Sequence, residues 1–272
     1  METFANIKKA FDTTKRYFWF LLLLNFLISA LSTGVDLIVS LILSNISLGG
    51  IVTPIIISLL YIIVILLLNA FIRVGTLSVY LEIFKSKTAS LEMFFKKYKL
   101  TFKMFLIQIV SFSILILFIL SVSLIFIIIS FAIYSNYLLL LLIIPLIFLA
   151  YISIKYLFGF YFVDIILVSE NISVMDCFRK SLQITKNNIG KLIKLILAII
   201  SIGLLCIIIA SLFLVLFFIL FNSNFFLSFI FIFIFAIFLL ISVFFVVNMY
   251  HFAILNLFED LSTKKKDDTK HK

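Results

Sequence analysis

Long, uninterrupted runs of apolar residues dominate the chain. A membrane-spanning helix needs about 20 such residues, whereas the strands of an outer-membrane barrel would alternate apolar and polar positions. Because hydrocarbon offers backbone groups no hydrogen-bonding partner, spans built from continuous runs are helices. The pattern predicts an all-α integral membrane fold with six transmembrane helices, at residues 17–44, 51–72, 104–133, 138–154, 192–221 and 225–247.

Short polar breaks join these spans in pairs, at residues 45–50, 134–137 and 222–224, and none of the breaks contains Lys or Arg. The basic residues collect instead in the segments before each pair and in the tail. The positive-inside rule assigns such segments to the cytoplasm. We therefore expect three hairpins in the cytoplasmic membrane, with the N-terminus and the C-terminus both cytoplasmic.

The composition supports this class, since 65% of the residues are hydrophobic and only 12% are charged. A soluble fold of 272 residues could not cover that much apolar surface. The net charge of +10 is explained by attraction of the basic segments to anionic lipid headgroups. No stretch is long enough to form a soluble nucleic-acid-binding domain. The basic residues expected at the membrane surface are Lys96, Lys97, Arg179, Lys180 and Lys186.

An internal repeat is indicated by three segments that align without gaps, at residues 7–15, 95–103 and 178–186. Each carries charged residues at matching positions, and each precedes a predicted hairpin. We expect a threefold repeat within a single transmembrane domain of 1–272. Its copies are 1–84, 85–170 and 171–260, followed by a charged cytoplasmic tail at 261–272.

The connecting segments are typical of amphipathic helices that lie on the membrane. In residues 171–186, the apolar side chains form a stripe along one side of the helix, and basic and polar side chains face away from it. Ser173 with Asp176 resembles an N-terminal capping box. Two interpretations stay open: a surface connector that anchors the bundle, or a helix that docks a partner or senses lipid. The predicted stripe consists of Val174, Cys177, Phe178, Leu182 and Ile184, opposite Arg179, Lys180 and Gln183.

The second helix of each hairpin carries a basic residue near its predicted cytoplasmic end and an acid nine positions later. Nine residues correspond to two and a half helical turns, so the two members of one pair point to opposite faces and cannot meet. Any ion pair must therefore form between repeats, and we expect Arg73 to pair with Asp164. The residues concerned are Arg73 with Glu82, Lys155 with Asp164, and His251 with Asp260.

A few polar residues lie within the spans. Asn25, Asn69 and Gln108 either hydrogen-bond across helices or line a pathway. Pro145 falls midway along the fourth predicted span, where it should kink the helix.

Residues 164–195 resemble a bacterial membrane-protein signature. The matching residues are Asp164-Ile-Ile-Leu-Val-Ser-Glu170, then Phe178-Arg-Lys-Ser-Leu182, Thr185-Lys-Asn187 and an apolar run after Lys191. The pattern resembles the DUF975 and YciC-like families and the membrane domain of glycerophosphoryl diester phosphodiesterase. The resemblance implies a six-span layout. The catalytic chemistry of the last family belongs to a separate soluble barrel domain, for which these 272 residues have no room.

No catalytic constellation is evident in the sequence. The two histidines, His251 and His271, form neither a zinc motif nor a triad, and the seven glycines form no phosphate-binding loop. We therefore expect no enzyme, no cofactor and no metal.

Two functions stay open. The first is a non-catalytic protein that organises, senses or protects the membrane or a membrane-protein partner. The second is a transporter or permease subunit that moves a small or lipidic substrate.

Overall fold

The computed structural model describes residues 2–45, 52–134, 143–186, 188–221 and 225–270, so most of the predicted inter-span turns lie outside the described residues. Over those ranges the chain is helical and contains no strand, which confirms the all-α class. The chain divides into two compact units. One unit contains Met1–Ser29 and Gly190–Lys272, and the other contains Ala30–Ile189.

Long helices alternate with short ones along the chain. In the first part they are α1 (Glu2–Arg16), α2 (Phe18–Asn45), α3 (Val52–Ser86), α4 (Glu92–Lys96), a 3-10 turn (Tyr98–Leu100) and α5 (Thr101–Tyr134). In the second part they are α6 (Ile143–Gly159), α7 (Val163–Glu170), α8 (Val174–Lys186), α9 (Ile189–Phe221) and α10 (Phe225–Lys270).

Six of the described helical stretches are long and apolar enough to cross a membrane, which confirms the predicted number. The length and high mean hydropathy of each stretch are typical of a helix that lipid surrounds. The stretches are Phe18–Leu41, Leu60–Ser86, Tyr98–Ser130, Ile143–Glu170, Ile189–Ile219 and Phe229–Ser262.

The core of the 30–189 unit lies at the basic ends of its spans, meaning the ends that adjoin a lysine-rich segment. The buried residues come from the second half of α3, the start of α5, α7 and one face of α8. Phe162, Ile166 and Leu167 are completely buried there. The middle of α5, by contrast, exposes most of its large apolar side chains.

The unit of residues 1–29 and 190–272 follows the same rule. α1 packs against α10, and the buried side chains of α10 gather between Asn248 and Leu261, near the α1 contact. Phe11 of α1 stacks edge-on against Phe245, with ring centroids 5.1 Å apart. In both units the tight packing therefore lies at the span ends.

The fourth span is broken between α6 and α7, at residues 160–162. We expected Pro145 to kink this span midway. Residues 138–142 of this span lie outside the described ranges, so the expected kink at Pro145 stays a prediction.

Candidate functional site

An ion pair joins α3 to α7 in the 30–189 unit. The Arg73 guanidinium contacts the Asp164 carboxylate, bringing together two residues that the sequence placed in different hairpins. Asp164 lies in the first turn of α7, where a negative charge also interacts favourably with the helix dipole. Its side chain is only 14% exposed, whereas that of Arg73 is 57% exposed. Loss of the ion pair should therefore cost more at the buried Asp164 carboxylate than at the Arg73 guanidinium, which solvent can reach.

Ser181 of α8 fills the break between α6 and α7. Its hydroxyl donates to the Gly159 carbonyl at 2.6 Å and accepts from the Phe162 backbone N–H at 3.2 Å. These two backbone groups lie at the break, where the helical hydrogen-bond ladder is interrupted. The approach is close, because a side chain at Gly159 would overlap Leu182 of α8. One hydroxyl thus takes the place of helical bonding for both groups.

Two lysines bind the C-terminal end of α7. Asn171 ends this helix in a left-handed conformation with φ of 51°, and its N–H donates to the Leu167 carbonyl. Lys97 donates to the Val168 carbonyl, and Lys103 donates to the Asn171 side-chain oxygen at 3.1 Å and to the Ile172 carbonyl at 3.3 Å. Cations at a helix C-terminus satisfy its unpaired carbonyls and complement its dipole.

The pKa of Lys97 lies below its ordinary value, chiefly because burial disfavours the charged form. The nearby positive charge of Lys85 lowers it further, that of Lys96 acts in the same direction, and Glu82 opposes them. Several cations are therefore crowded around one half-buried ammonium group.

α8 shows a buried face and an exposed face. At its start, the Ser173 hydroxyl accepts from the Asp176 N–H at 3.1 Å, and it donates to the Asp176 carboxylate at 2.6 Å. The predicted cap is thus present, although the carboxylate binds the hydroxyl rather than a backbone N–H. The buried residues are Cys177, Phe178, Ser181, Ile184 and Thr185, while Val174 and Leu182 of the predicted stripe are only half-buried.

Burial raises the pKa of the Cys177 thiol to about 11, and the negative charge of Glu170 adds to this. Glu170 itself pairs with Lys180, whose ammonium lies 2.6 Å from a carboxylate oxygen. Cys177 is therefore held as a neutral, inert thiol.

In the unit of residues 1–29 and 190–272, Asp260 accepts a hydrogen bond from the Asn6 side chain at 2.9 Å. The Asn256 side chain donates to the Asn6 backbone carbonyl at 3.4 Å. A cavity of about 20 Å³ is lined by Asn6 and Asp260, together with Lys191 and Leu257. It is large enough for about one water molecule.

The structure separates the other predicted residues into distinct environments. Glu82 is half-buried, Lys155 is exposed, and the half-buried His251 lies beside the Tyr250 ring at 5.5 Å. Of the predicted membrane-surface residues, Lys97 and Lys180 are engaged by protein groups as described above. The remaining three, Lys96, Arg179 and Lys186, are exposed.

The polar residues of the spans also differ from one another. Asn25 bonds to the Leu21 carbonyl of its own helix at 2.8 Å, and Asn69 is exposed. Gln108 of α5 has a buried side-chain oxygen that finds no hydrogen-bond partner among the described residues.

Sequence reasoning missed Ser181, Lys103 and Asn6. A signal existed for Ser181, because a serine flanked by the apolar residues Phe178 and Leu182 on one helix face needs a partner once that face is buried. Lys103 and Asn6 gave no comparable signal, since their partners are distant in sequence.

Within the described ranges, no three His, Cys, Asp or Glu side chains come together in a way that could hold a metal ion. The chain has no significant match to a known protein family, a curated protein or a solved structure.

Proposed function

We propose that this chain is a non-catalytic membrane protein that organises or protects the bilayer, or a complex within it, through a packed platform on the cytoplasmic leaflet. The observation that supports this most is the position of the core. Buried residues concentrate at the basic ends of the spans, where short helices pack on longer ones. Much of the remaining span surface is apolar and exposed, as suits contact with lipid.

The cytoplasmic location of this platform rests on the lysine and arginine distribution. The same residues make the bilayer with anionic headgroups the first partner of the protein. A membrane-protein partner would bind at the exposed face of a short helix, such as Arg179 and Lys186 of α8. The resemblance to the DUF975 and YciC-like families belongs to this proposal, and it predicts the same layout.

We also propose that the platform is built from a threefold repeat of a short amphipathic helix followed by a hairpin. In support, each short helix packs on the second helix of another hairpin: α4 on α3, α8 on α6 and α7, and α1 on α10. Thr14 and Thr185 occupy equivalent positions of the aligned segments. Both are buried, and each hydroxyl donates to the carbonyl four residues earlier, at 2.9 and 2.8 Å.

One observation favours the second candidate, a transporter or permease subunit. The buried oxygen of Gln108, which has no hydrogen-bond partner in the described part of the chain, is costly within a span unless a substrate or water binds it. Such a group would fit a pathway for a small polar or lipidic substrate.

Proteoliposomes distinguish the two functions. We expect purified protein to move a panel of ions, sugars, amino acids and fluorescent lipids no faster than protein-free vesicles do. Gln108→Leu should leave that result unchanged and should raise stability, because an unsatisfied polar atom is removed. Saturable movement of any solute that Gln108→Leu or Asn69→Leu abolishes would overturn the platform proposal. Ser201→Leu, on the exposed side of α9, is the matched control.

Photo-crosslinking in native membranes tests the platform directly. A crosslinker placed at Arg179 should yield a discrete lipid or protein adduct, because this residue lies on the exposed face of α8. A crosslinker at Ile184, on the buried face, should react only within the chain. Equal external labelling from both positions would contradict a docked α8.

A further inference from the structure

Aromatic and basic side chains share one exposed surface at the start of the third span. Phe95, Tyr98 and Phe102 are 60%, 56% and 63% exposed, and Lys96 and Lys99 lie exposed between them. We call these five residues, together with Lys85, the aromatic–lysine face. The opposite side of the same segment is buried through Phe94, Leu100 and Met104.

A break in the helix produces this face. In the aligned segments Tyr98 and Phe102 are equivalent to the buried Ala10 and Thr14 of α1. α4 ends at Lys96, and the 3-10 turn that follows changes the register. Lys97, Leu100 and Met104 point inward as a result, and the two aromatic side chains point outward. The exposure is therefore a feature of this segment and is not shared by its counterparts.

The lysines of this surface outnumber the nearby acids. Residues 82–104 contain six lysines and two acids, Glu82 and Glu92. Lys97 and Lys103 are held by the end of α7. Lys85, Lys96 and Lys99 are exposed, and within the described residues none of the three makes an ion pair. The charges of Lys85 and Lys96 are close enough to Lys97 to lower its pKa, so the cations lie together.

The position of this face suits a bilayer surface. Tyr98 begins the third membrane-spanning stretch, and side chains at that level meet lipid headgroups. Aromatic rings are enriched at this interface, and lysine stems extend along it so that the ammonium groups reach the phosphates. The contacts of Lys97 and Lys103 with α7 fix the segment, so the face is preorganised.

We propose that the aromatic–lysine face binds the phosphate groups of anionic phospholipids, with Lys85, Lys96 and Lys99 contacting phosphate and Phe95, Tyr98 and Phe102 inserted beside the acyl chains. This inference rests on the membrane location and the anionic-headgroup partner in the proposed function, and it adds a specific binding site. The exposed surface of α8 is different: within the described residues, Met175 is its only strongly exposed large apolar side chain, and Glu170 neutralises Lys180.

Quenching of a local tryptophan tests the site in the full-length protein. Trp19 is the only natural tryptophan, so the parent variant carries Trp19→Phe and Tyr98→Trp. It is reconstituted in vesicles that contain brominated phosphatidylglycerol or brominated phosphatidylcholine at equal mole fraction. We expect the association constant for the anionic lipid to exceed that for the zwitterionic lipid by at least about fivefold, the factor that one lysine near the surface supplies.

Two triple variants make the test specific. K85Q/K96Q/K99Q in the parent should bring the ratio to about one. R179Q/K186Q/K194Q removes the same number of exposed charges elsewhere and should preserve it. An equal loss in both triples would overturn the proposal in favour of general surface charge. Loss of the preference on addition of millimolar glycerol phosphate would also overturn it, in favour of a soluble phosphoester ligand.

The quenching pattern also separates this inference from the proposed function. Equal quenching by the two lipids overturns the anionic site and leaves the membrane platform intact. If neither lipid quenches the fluorescence, position 98 does not lie at the bilayer surface, and this result also contradicts the platform.

Discussion

Ser181 connects three elements through a single hydroxyl. It serves the Gly159 carbonyl and the Phe162 N–H at the α6–α7 break. Ser181→Ala removes this hydroxyl from both groups and leaves the Gly159 carbonyl with the longer contact from Thr185, at 3.5 Å. The loss should cost about 1–3 kcal/mol in total. We expect a clear loss of stability in detergent unfolding. Ser201→Ala should be nearly neutral, because that hydroxyl is exposed and bonds only within its own helix. Equal stability of the two variants would contradict the assigned role of Ser181.

The Arg73–Asp164 pair is asymmetric, and mutation should reveal this. Arg73→Gln leaves a largely buried carboxylate without its partner, whereas Asp164→Asn leaves an exposed guanidinium that can reach water or headgroups. We therefore expect Arg73→Gln to cost more, about 1–3 kcal/mol. The double variant should lose less than the sum of the two single changes. Unfolding midpoints of the four proteins give the coupling energy.

The exposed Lys180–Glu170 pair provides the matched control for that cycle. Its side chains are 39% and 34% exposed, so Glu170→Gln should cost no more than about 1 kcal/mol. Strictly additive losses at Arg73 and Asp164 would show that the two groups do not interact in the folded protein.

Cys177 should react as a buried thiol. Because its pKa is raised to about 11 from 9.0, the thiolate fraction at pH 8 falls by about a hundredfold. Its contribution to stability is complete below pH 9.0 and is lost as the pH rises towards about 11. In a Cys206→Ala background, maleimide labelling at pH 8 should be slow in folded protein and fast after denaturation. Rapid labelling of folded protein would contradict the burial of α8.

At the scale of elements, α4 packs on α3 through Gly75. A Cβ at this position would lie 2.6 Å from the Phe94 ring, and that ring is held between Phe71 and Phe95. Gly75→Ala should therefore destabilise the protein by about 1–3 kcal/mol, although alanine is the better helix former. Thermal unfolding with binding of a core-sensitive dye measures the change.

Gly203→Ala is the control for this prediction. A Cβ there meets only Val246, at an ordinary 3.8 Å, so the change should be neutral or slightly stabilising. If Gly75→Ala were equally well tolerated, the close contact between α3 and α4 would be wrong.

The elements were largely predictable because lipid imposes a simple rule on sequence. Continuous apolar runs require helices, and all six were found. The break at 160–162 was not predictable in the same way, because it depends on Ser181, which is distant in sequence. Pro145 gave a strong local signal, and because the residues before Ile143 lie outside the described ranges, its kink stays a prediction. The Arg73–Asp164 pair was predicted, because the spacing of each basic residue and its acid excludes a pair within one helix, and the structure contains it.

At the scale of the whole molecule, the stabilising contacts of the protein lie at the basic ends of the spans. Each compact unit has its buried residues there, and each uses polar contacts to join its short helices to longer ones. In lipid, apolar surface gains little by being buried, so packing and polar contacts become the stabilising interactions. We therefore expect destabilising substitutions to cluster at these ends.

Placement of these ends on the cytoplasmic side is the central claim, and thiol labelling tests it most directly. Single cysteines are introduced at Ser47, Ser135, Ser223, Lys96 and Arg179 in a background with Cys177→Ala and Cys206→Ala. A membrane-impermeant maleimide applied to intact cells should label the variants at Ser47, Ser135 and Ser223. The variants at Lys96 and Arg179 should react only after permeabilisation. Labelling of the Lys96 or Arg179 variant in intact cells, or protection of the Ser135 variant, would contradict the account.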